Sequence, residues 1–295
     1  MKKSNKFEWV LIITVLVTLC IGSYESYTQK YKPGRSILAS AHNYGYLKEY
    51  PVVYEPSKGI WHPVGWAGSG MMVLMMFYSL RKRLSFFRSM GSMRHWLSAH
   101  IFLGILGPIL VTFHTTFKFG GLIATSFWCM VVTVIFGILG RYIYVQIPRD
   151  ISGVELGIKD IEKELETLDI ELAKHLGQNG ISEAVKSITT ADEKVQHFHP
   201  VKALFFMMQT DIKNIFTVYQ VRSMLKRQLR LARKTRKEVL TGIKKKVVLI
   251  RRKNLLTTSH RLLNYWHVFH VPLAMVMFFI MFLHVLVYYF FRVSA

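Results

Sequence analysis

Cysteine and acidic residues are scarce in this chain of 295 residues. The two cysteines, Cys20 and Cys129, both lie in apolar segments, which excludes a disulfide framework and a thiolate metal cluster. Asp and Glu number 17 against 39 Lys and Arg, and residues 95–117, 121–145 and 262–291 contain no acid. Proton pumps use carboxylates inside the membrane, so the sequence disfavours that function class.

Apolar residues make up 51% of the chain, and the mean hydropathy is +0.26. Five apolar segments, 7–24, 63–80, 95–117, 121–145 and 262–291, are long enough to cross a bilayer. We therefore predict an all-α integral membrane protein with about five transmembrane helices. The first segment is expected to be an uncleaved anchor, because it lacks a small-residue cleavage site.

Positive charge is concentrated in two places. Residues 222–261 hold fifteen Lys or Arg against one acid, Glu238, and a second basic cluster separates the second and third apolar segments. The positive-inside rule then predicts an inner (cytoplasmic) membrane protein with its N-terminus inside and its C-terminus outside. The basic stretch lacks interleaved aromatic residues, so we expect contact with lipid or an acidic redox partner rather than nucleic acid.

These features divide the chain into five regions. They are an N-terminal anchor at 1–24, an external loop at 25–61, helices two to four at 62–149, a cytoplasmic helical insertion at 150–261 and helix five at 262–295. In the insertion, apolar residues recur every three or four positions, which predicts an amphipathic helix. Those residues are Ile158, Ile161, Leu165, Leu168 and Leu172.

The insertion has an acidic part followed by a basic part. We expect residues 177–180, which include two glycines, to end the acidic helix, and Pro200 to begin a second helix. Opposite charges on successive helices predict a helical hairpin or coiled-coil-like stalk.

Two pairs of histidines share one spacing inside the apolar segments. His100 and His114 are fourteen residues apart, as are His270 and His284. Fourteen helical residues turn about 1400°, close to four whole turns, and rise about 21 Å. Each pair therefore lies on one helix face. Because an intramembrane histidine is costly without a function, the repeat predicts two stacked bis-histidine sites.

Haem iron takes two axial ligands, and ligation by two histidines suits electron transfer. Because the third and fifth segments run in the same direction, we pair His100 with His270 at an inner haem and His114 with His284 at an outer one. No Cys-x-x-Cys-His motif occurs, so both haems would be noncovalent.

Other residues compete for these roles. His95, His267 and His62 are alternative ligands. Four glycines either admit a flat ring or serve helix packing, and four tryptophans either line a quinone pocket or anchor the helices at the membrane surface. The glycines are Gly104, Gly107, Gly137 and Gly140, and the tryptophans are Trp61, Trp66, Trp96 and Trp266. The cations that either pair with haem propionates or only set topology are Arg94, Arg141, Arg149 and Lys118.

The histidine pattern resembles the membrane domain of ferric reductases and NADPH oxidases. The similarity covers RHWLSAH at 94–100 through His114, and HVFH at 267–270 through His284. It implies two haems b that carry electrons from an inside flavin to an outside acceptor. The sequence departs from that family in its long helical insertion, and it shows no Gly-x-Gly-x-x-Gly motif after a strand. We therefore expect separate redox subunits.

Together these patterns predict a membrane b-type di-haem cytochrome, the electron-transfer component of an oxidoreductase, with no catalytic residue of its own. Its donor would be a cytoplasmic flavoprotein or a quinol, and its acceptor an external redox molecule or subunit. Two alternatives stay open: a non-redox membrane anchor or assembly scaffold, and the haem-bearing anchor subunit of a quinol-linked dehydrogenase.

Overall fold

The computed structural model describes residues 6–48, 53–84, 86, 90–148, 156–189, 199–228 and 233–293. Over these residues every regular element is a helix, which confirms the all-α prediction. The α-helices are α1 (Lys6–Tyr31), α2 (Ile37–Asn43), α3 (Trp61–Met75), α4 (Phe77–Arg83), α5 (Met93–His114), α6 (Gly121–Gln146), α7 (Ile158–Thr189), α8 (Pro200–Gln228) and α9 (Arg233–Val293). A 3-10 helix, Pro33–Arg35, precedes α2.

Five helical stretches are long and apolar enough to cross a membrane. They are Glu8–Tyr31, Trp61–Arg83, Met93–His114, Ile123–Gln146 and Lys237–Phe290, and each overlaps one predicted segment. Membrane character is thus supported at the level of length and composition. The fifth stretch is part of α9, a single helix of 61 residues that also carries most of the basic segment.

The loop expected at 25–61 is partly helical, because α1 continues to Tyr31 and α2 follows. The buried carboxylate of Glu25 accepts hydrogen bonds from the Ile37 N–H at 2.8 Å and the Ser36 hydroxyl at 2.9 Å. Ser36 in turn caps α2 by accepting from the Ala39 N–H at 3.0 Å. The negative charge of Glu25 thus stabilises the positive N-terminal end of the α2 dipole. Because its partners lie eleven and twelve residues away, no short sequence motif predicts this contact.

The break expected at residues 177–180 is wrong, because α7 runs without interruption to Thr189. A glycine inside a helix costs only about 1 kcal/mol relative to alanine, so two glycines weaken a long helix without ending it.

The chain forms two compact units, one of residues 1–137 with 270–295 and one of residues 138–269. In the first unit α3 and α5 pack closely and antiparallel to each other. Glycines make this approach possible: a Cβ on Gly68 would lie 2.9 Å from the Gly107 carbonyl oxygen, and one on Gly107 would lie 2.9 Å from Met72 Cγ. Gly107 therefore serves packing against α3, the second of its two predicted roles.

In the second unit α7 packs against α9. The predicted apolar face of α7 is buried at Ile161, Leu168 and Leu172, whereas Ile158 is exposed. Acidic and basic side chains pair alongside this core: Glu164 with Lys245 at 2.8 Å, Glu162 with Lys253 at 2.6 Å, and Asp169 with Lys246. The predicted meeting of opposite charges is confirmed, but the basic partner is α9, and α8 joins as a third helix instead of a simple hairpin.

Candidate functional site

Both histidines of α5 donate a hydrogen bond to a backbone carbonyl of α3. His100 Nδ1 lies 3.0 Å from the Met75 oxygen, and His114 Nδ1 lies 2.8 Å from the Trp61 oxygen. A carbonyl oxygen can only accept, so each Nδ1 carries the proton. In the neutral form of each ring, Nε2 then keeps its lone pair, which is the state required of a metal-binding imidazole.

The two carbonyls are themselves fourteen residues apart, from Trp61 to Met75. Two antiparallel helices of equal rise satisfy both hydrogen bonds at once, one at each level of the histidine repeat. The histidine repeat on α5 can be predicted from the sequence. The acceptors on α3 cannot, because they are backbone carbonyls and every residue has one.

The Met75 carbonyl is available because the helix is interrupted after it. The Ser79 N–H, which a continuous helix would direct to Met75, donates to the Met76 carbonyl at 2.9 Å, and the Met76 N–H donates to Val73 at 3.0 Å. The interruption separates α3 from α4 and leaves the Met75 oxygen for His100. The His100 ring also lies against Tyr78 of α4, with ring centroids 5.0 Å apart.

Gly65 of α3 makes room for His114. A Cβ at this position would lie 2.4 Å from His114 Nδ1 and 2.5 Å from its Cγ, far inside van der Waals contact. Only glycine lets the ring reach the Trp61 carbonyl, so Gly65 is a site residue that the sequence prediction missed. Gly104 of α5 faces α3, where an added Cβ would lie 3.3 Å from the Met75 sulfur.

Trp61 is held by a chain of buried polar groups. Its indole N–H donates to Gln29 Oε1 at 2.8 Å, and Gln29 Nε2 donates to Glu25 Oε1 at 2.8 Å. Trp61 is only 3% exposed and packs between Tyr54 and Phe113. The predicted boundary-belt position of Trp61 is therefore wrong, because it is a buried residue whose carbonyl orients His114. The quinone pocket stays a prediction.

His114 and His284 line the same cavity. Its empty space is about 900 Å³, part of it open to the surroundings. The walls come from α3, α5, α6 and α9 and are mainly apolar, with Met72, Phe127, Met130, Met277, Ile280 and Met281 among them. A few polar groups in an otherwise apolar cavity are typical of cofactor sites. The structure thus brings together the residues predicted as outer ligands.

His114 belongs to α5 and His284 to α9, and both helices border the cavity. Two imidazole nitrogens on one metal ion stand about 4 Å apart, since each bond is about 2 Å long. Ligand helices must therefore keep apart by the length of two side chains, which direct packing would prevent.

Lys118 also lines the cavity, in the turn that follows α5. The turn places Thr116 and Phe117 in the left-handed region, with φ of 46° and 58°, a costly conformation for residues with a Cβ. Nearby, the hydrogen bond from Lys58 at 3.0 Å lowers the pKa of the exposed Glu55 carboxyl, and the charge of Lys118 acts in the same direction. Lys118 is thus a cation that lines the same cavity as His114 and acts electrostatically on the Glu55 carboxyl.

The two histidines predicted as inner ligands, His100 and His270, have separate surroundings. His270 lies on α9 opposite Gly137 of α6, where a Cβ on the glycine would be 3.9 Å from His270 Cε1. His100 lies against α3 and α4, as described. The pairing of His100 with His270 stays a prediction.

The alternative ligands have other surroundings. His95 is exposed, and its Nδ1 hydrogen-bonds the Ser92 hydroxyl at 2.8 Å. His267 is exposed and stacks on Trp266. His62 accepts from the Trp66 indole at 3.2 Å and lies 5.1 Å from the Tyr288 ring, outside the lining of the cavity.

The cations predicted near the inner boundary also have partners, apart from Arg149, which lies outside the described residues. Arg94 forms an ion pair with Glu8 at 3.2 Å, and Arg141 lies over the Tyr144 ring at 5.8 Å. In the second unit, the Trp266 ring occupies the space beside Gly140, where an added Cβ would lie 2.3 Å from Trp266 Cε2. Gly140 therefore serves side-chain packing.

Comparison with known proteins does not identify a family for the chain. No family model, no curated protein and no solved structure matches the chain. Within the described residues no three His, Cys, Asp or Glu side chains converge on one point. A metal centre built here from two histidines would need its other ligands from the cofactor itself, which a porphyrin provides.

Proposed function

We propose that the chain is a membrane-bound b-type cytochrome with two noncovalent haems, each held by one histidine of α5 and one of α9. The observation that carries the proposal is the shared cavity of His114 and His284, in which the Nδ1 of His114 is already committed to a carbonyl. Haem, when bound, would supply one-electron oxidation and reduction at its iron.

The same construction at His100 supports a second haem. His100 repeats the bond of His114 one histidine spacing away, and His270 precedes His284 by the same fourteen residues on α9. The two levels are about 21 Å apart along the helices. We assign His100 and His270 to the inner haem, and His114 and His284 to the outer haem.

The chain's own groups would orient the ligand histidines, exclude water from the cavity and supply a cation for a propionate. The carbonyls of Trp61 and Met75 fix the ring planes and raise the basicity of the ligand nitrogens. The methionine and phenylalanine walls keep water from the outer cavity, and Lys118 offers a cation to a propionate. Because two histidines leave no open coordination position, the site suits electron relay and not substrate binding.

The relay would run across the membrane, in keeping with the resemblance to ferric reductase and NADPH oxidase membrane domains. A cytoplasmic flavoprotein or a quinol would donate, and an external redox molecule or subunit would accept. The basic inner segments suit an acidic donor protein. The bilayer holds the helices, with the N-terminus inside and the C-terminus outside.

Single ligand replacements in the purified full chain test this assignment. His114→Ala should remove the outer haem and His100→Ala the inner haem, each leaving one haem b per chain by pyridine haemochrome analysis. The remaining haem should show a different midpoint potential in the two variants, because different haems survive. His95→Ala is the matched control, since this exposed residue lies on the same helix, and it should keep both haems. Two haems in His114→Ala would overturn the assignment.

A further inference from the structure

Helix α8 carries a stripe of exposed apolar side chains. Its members, spaced by three or four residues, are Val201, Phe205, Met208, Ile212, Phe216 and Tyr219, and they are between 45% and 72% exposed. At 100° per residue they fall within about 80° of the helix circumference. A continuous apolar face of this kind on a surface marks an interaction site.

The exposed stripe belongs to a helix that is firmly packed on its other face. The opposite face of α8 is packed within the second unit, where Ala203 and Met207 are fully buried against Ile143 of α6 and Leu255 and Leu262 of α9. The orientation of α8 about its own axis is therefore fixed by its core contacts, and the stripe faces outward.

A polar cluster joins α8 to the C-terminal end of α6 and to α9. Asp211 of α8 accepts from the Tyr142 hydroxyl at 2.5 Å and from Gln146 Nε2 at 3.2 Å, and it pairs with Arg251. Arg251 also donates to the Met207 carbonyl at 2.9 Å. Tyr142 and Gln146 form the last turn of the fourth apolar stretch, which ends at Gln146.

The partner of the stripe follows from this position. With α6 and α9 inserted in the membrane, the inner ends of their apolar segments lie at the boundary between acyl chains and headgroups. There α8 contacts the end of α6 through the hydrogen bond of Gln146 to Asp211, and it shares an apolar cluster with Leu262 of α9. Lys202 and Lys213 are exposed and point about 80–100° away from the centre of the stripe. An apolar face bordered by basic residues is the pattern of a helix that lies in a membrane surface.

We propose that α8 is an interfacial helix whose apolar stripe lies in the inner leaflet, with anionic lipid headgroups beside Lys202 and Lys213. The inference rests on the insertion of α6 and α9 in the membrane and is independent of any cofactor. It assigns the surface to lipid and not to a second copy of the chain or a partner protein.

Spin labels on single cysteines test the environment of the stripe. In full-length protein with Cys20→Ala and Cys129→Ala, labels are attached at Phe205→Cys and Ile212→Cys, with Glu166→Cys on the exposed surface of α7 as the control. The protein is placed in nanodiscs of equimolar phosphatidylcholine and phosphatidylglycerol. Power saturation then measures collisions with oxygen, which favours lipid, and with a water-soluble nickel chelate.

The two stripe labels should collide more with oxygen than with the nickel chelate, whereas the label at position 166 should show the reverse. High nickel accessibility at the stripe would show that it faces water, and low accessibility to both reagents would show that protein covers it. Either result overturns the proposal. The stripe labels should also sit deeper in this mixture than in pure phosphatidylcholine, and equal depth would refute the role of the basic edge.

Discussion

A methyl group at Gly65 should displace His114 from its carbonyl partner. The added Cβ of Gly65→Ala would lie 2.4 Å from His114 Nδ1, and ordinary contact begins near 3.4 Å, so the ring must withdraw by about 1 Å. The hydrogen bond to the Trp61 carbonyl, now 2.8 Å, would then lengthen to about 3.8 Å. Hydrogen bonds from nitrogen to oxygen are made at about 2.7–3.2 Å, so this one is lost.

Loss of an outer partner of a metal-binding histidine typically weakens metal affinity about 10–100-fold. We expect the outer haem of Gly65→Ala to transfer to excess apomyoglobin about 10–100-fold faster than in the native protein, followed in the Soret band. The inner haem should leave at the native rate, because His100 and Met75 are untouched. The two phases separate the local effect from a general loss of structure.

Gly70→Ala provides the matched control for Gly65→Ala. It lies on the same helix, it makes the same change in helix propensity, and its added Cβ would meet nothing within 4 Å. It should leave both haem-transfer rates unchanged. If Gly65→Ala and Gly70→Ala released the outer haem at the same rate, the argument that the Trp61 bond positions a haem ligand would be refuted.

Three further predictions concern other groups. His284→Ala should leave one haem b per chain by pyridine haemochrome analysis, whereas His62→Ala, a histidine outside the cavity lining, should keep two; the opposite result would make His62 the outer ligand. Lys118→Met should lower the midpoint potential of the outer haem in a redox titration, because a nearby cation favours the reduced form, and an unchanged potential would contradict its place beside the haem. Asp169→Asn should lower the free energy of unfolding by about 1 kcal/mol in chemical denaturation, since it leaves a buried lysine unpaired, and by more than Glu162→Gln, whose partner is less buried.

Several parts of the fold could be predicted because they depend on periodicity. The apolar segments are set by length, and the buried face of α7 at Ile161, Leu168 and Leu172 follows from the spacing of its apolar residues. The fourteen-residue repeat likewise predicts that His100 and His114 share one helix face, and both rings meet α3. Helix repeats are local properties that one segment carries by itself.

The parts that could not be predicted depend on backbone groups and on choices between helices. The interruption at Met76 has no proline or glycine beside it, yet it supplies the acceptor for His100. The role of Gly65 depends on the ring of His114, 49 residues away in the sequence. Basic residues occur on both α8 and α9, so the charge pattern alone does not identify the partner of the acidic helix α7. The apolar clusters of the folded structure pair α7 with α9.

The haem content of the native protein tests the central claim most directly. We predict that the full chain, purified from haem-sufficient cells, contains two protohaems per chain by pyridine haemochrome analysis with parallel protein quantification. A colourless protein would contradict the account and favour a non-redox anchor or scaffold. A single haem would contradict the second bis-histidine site.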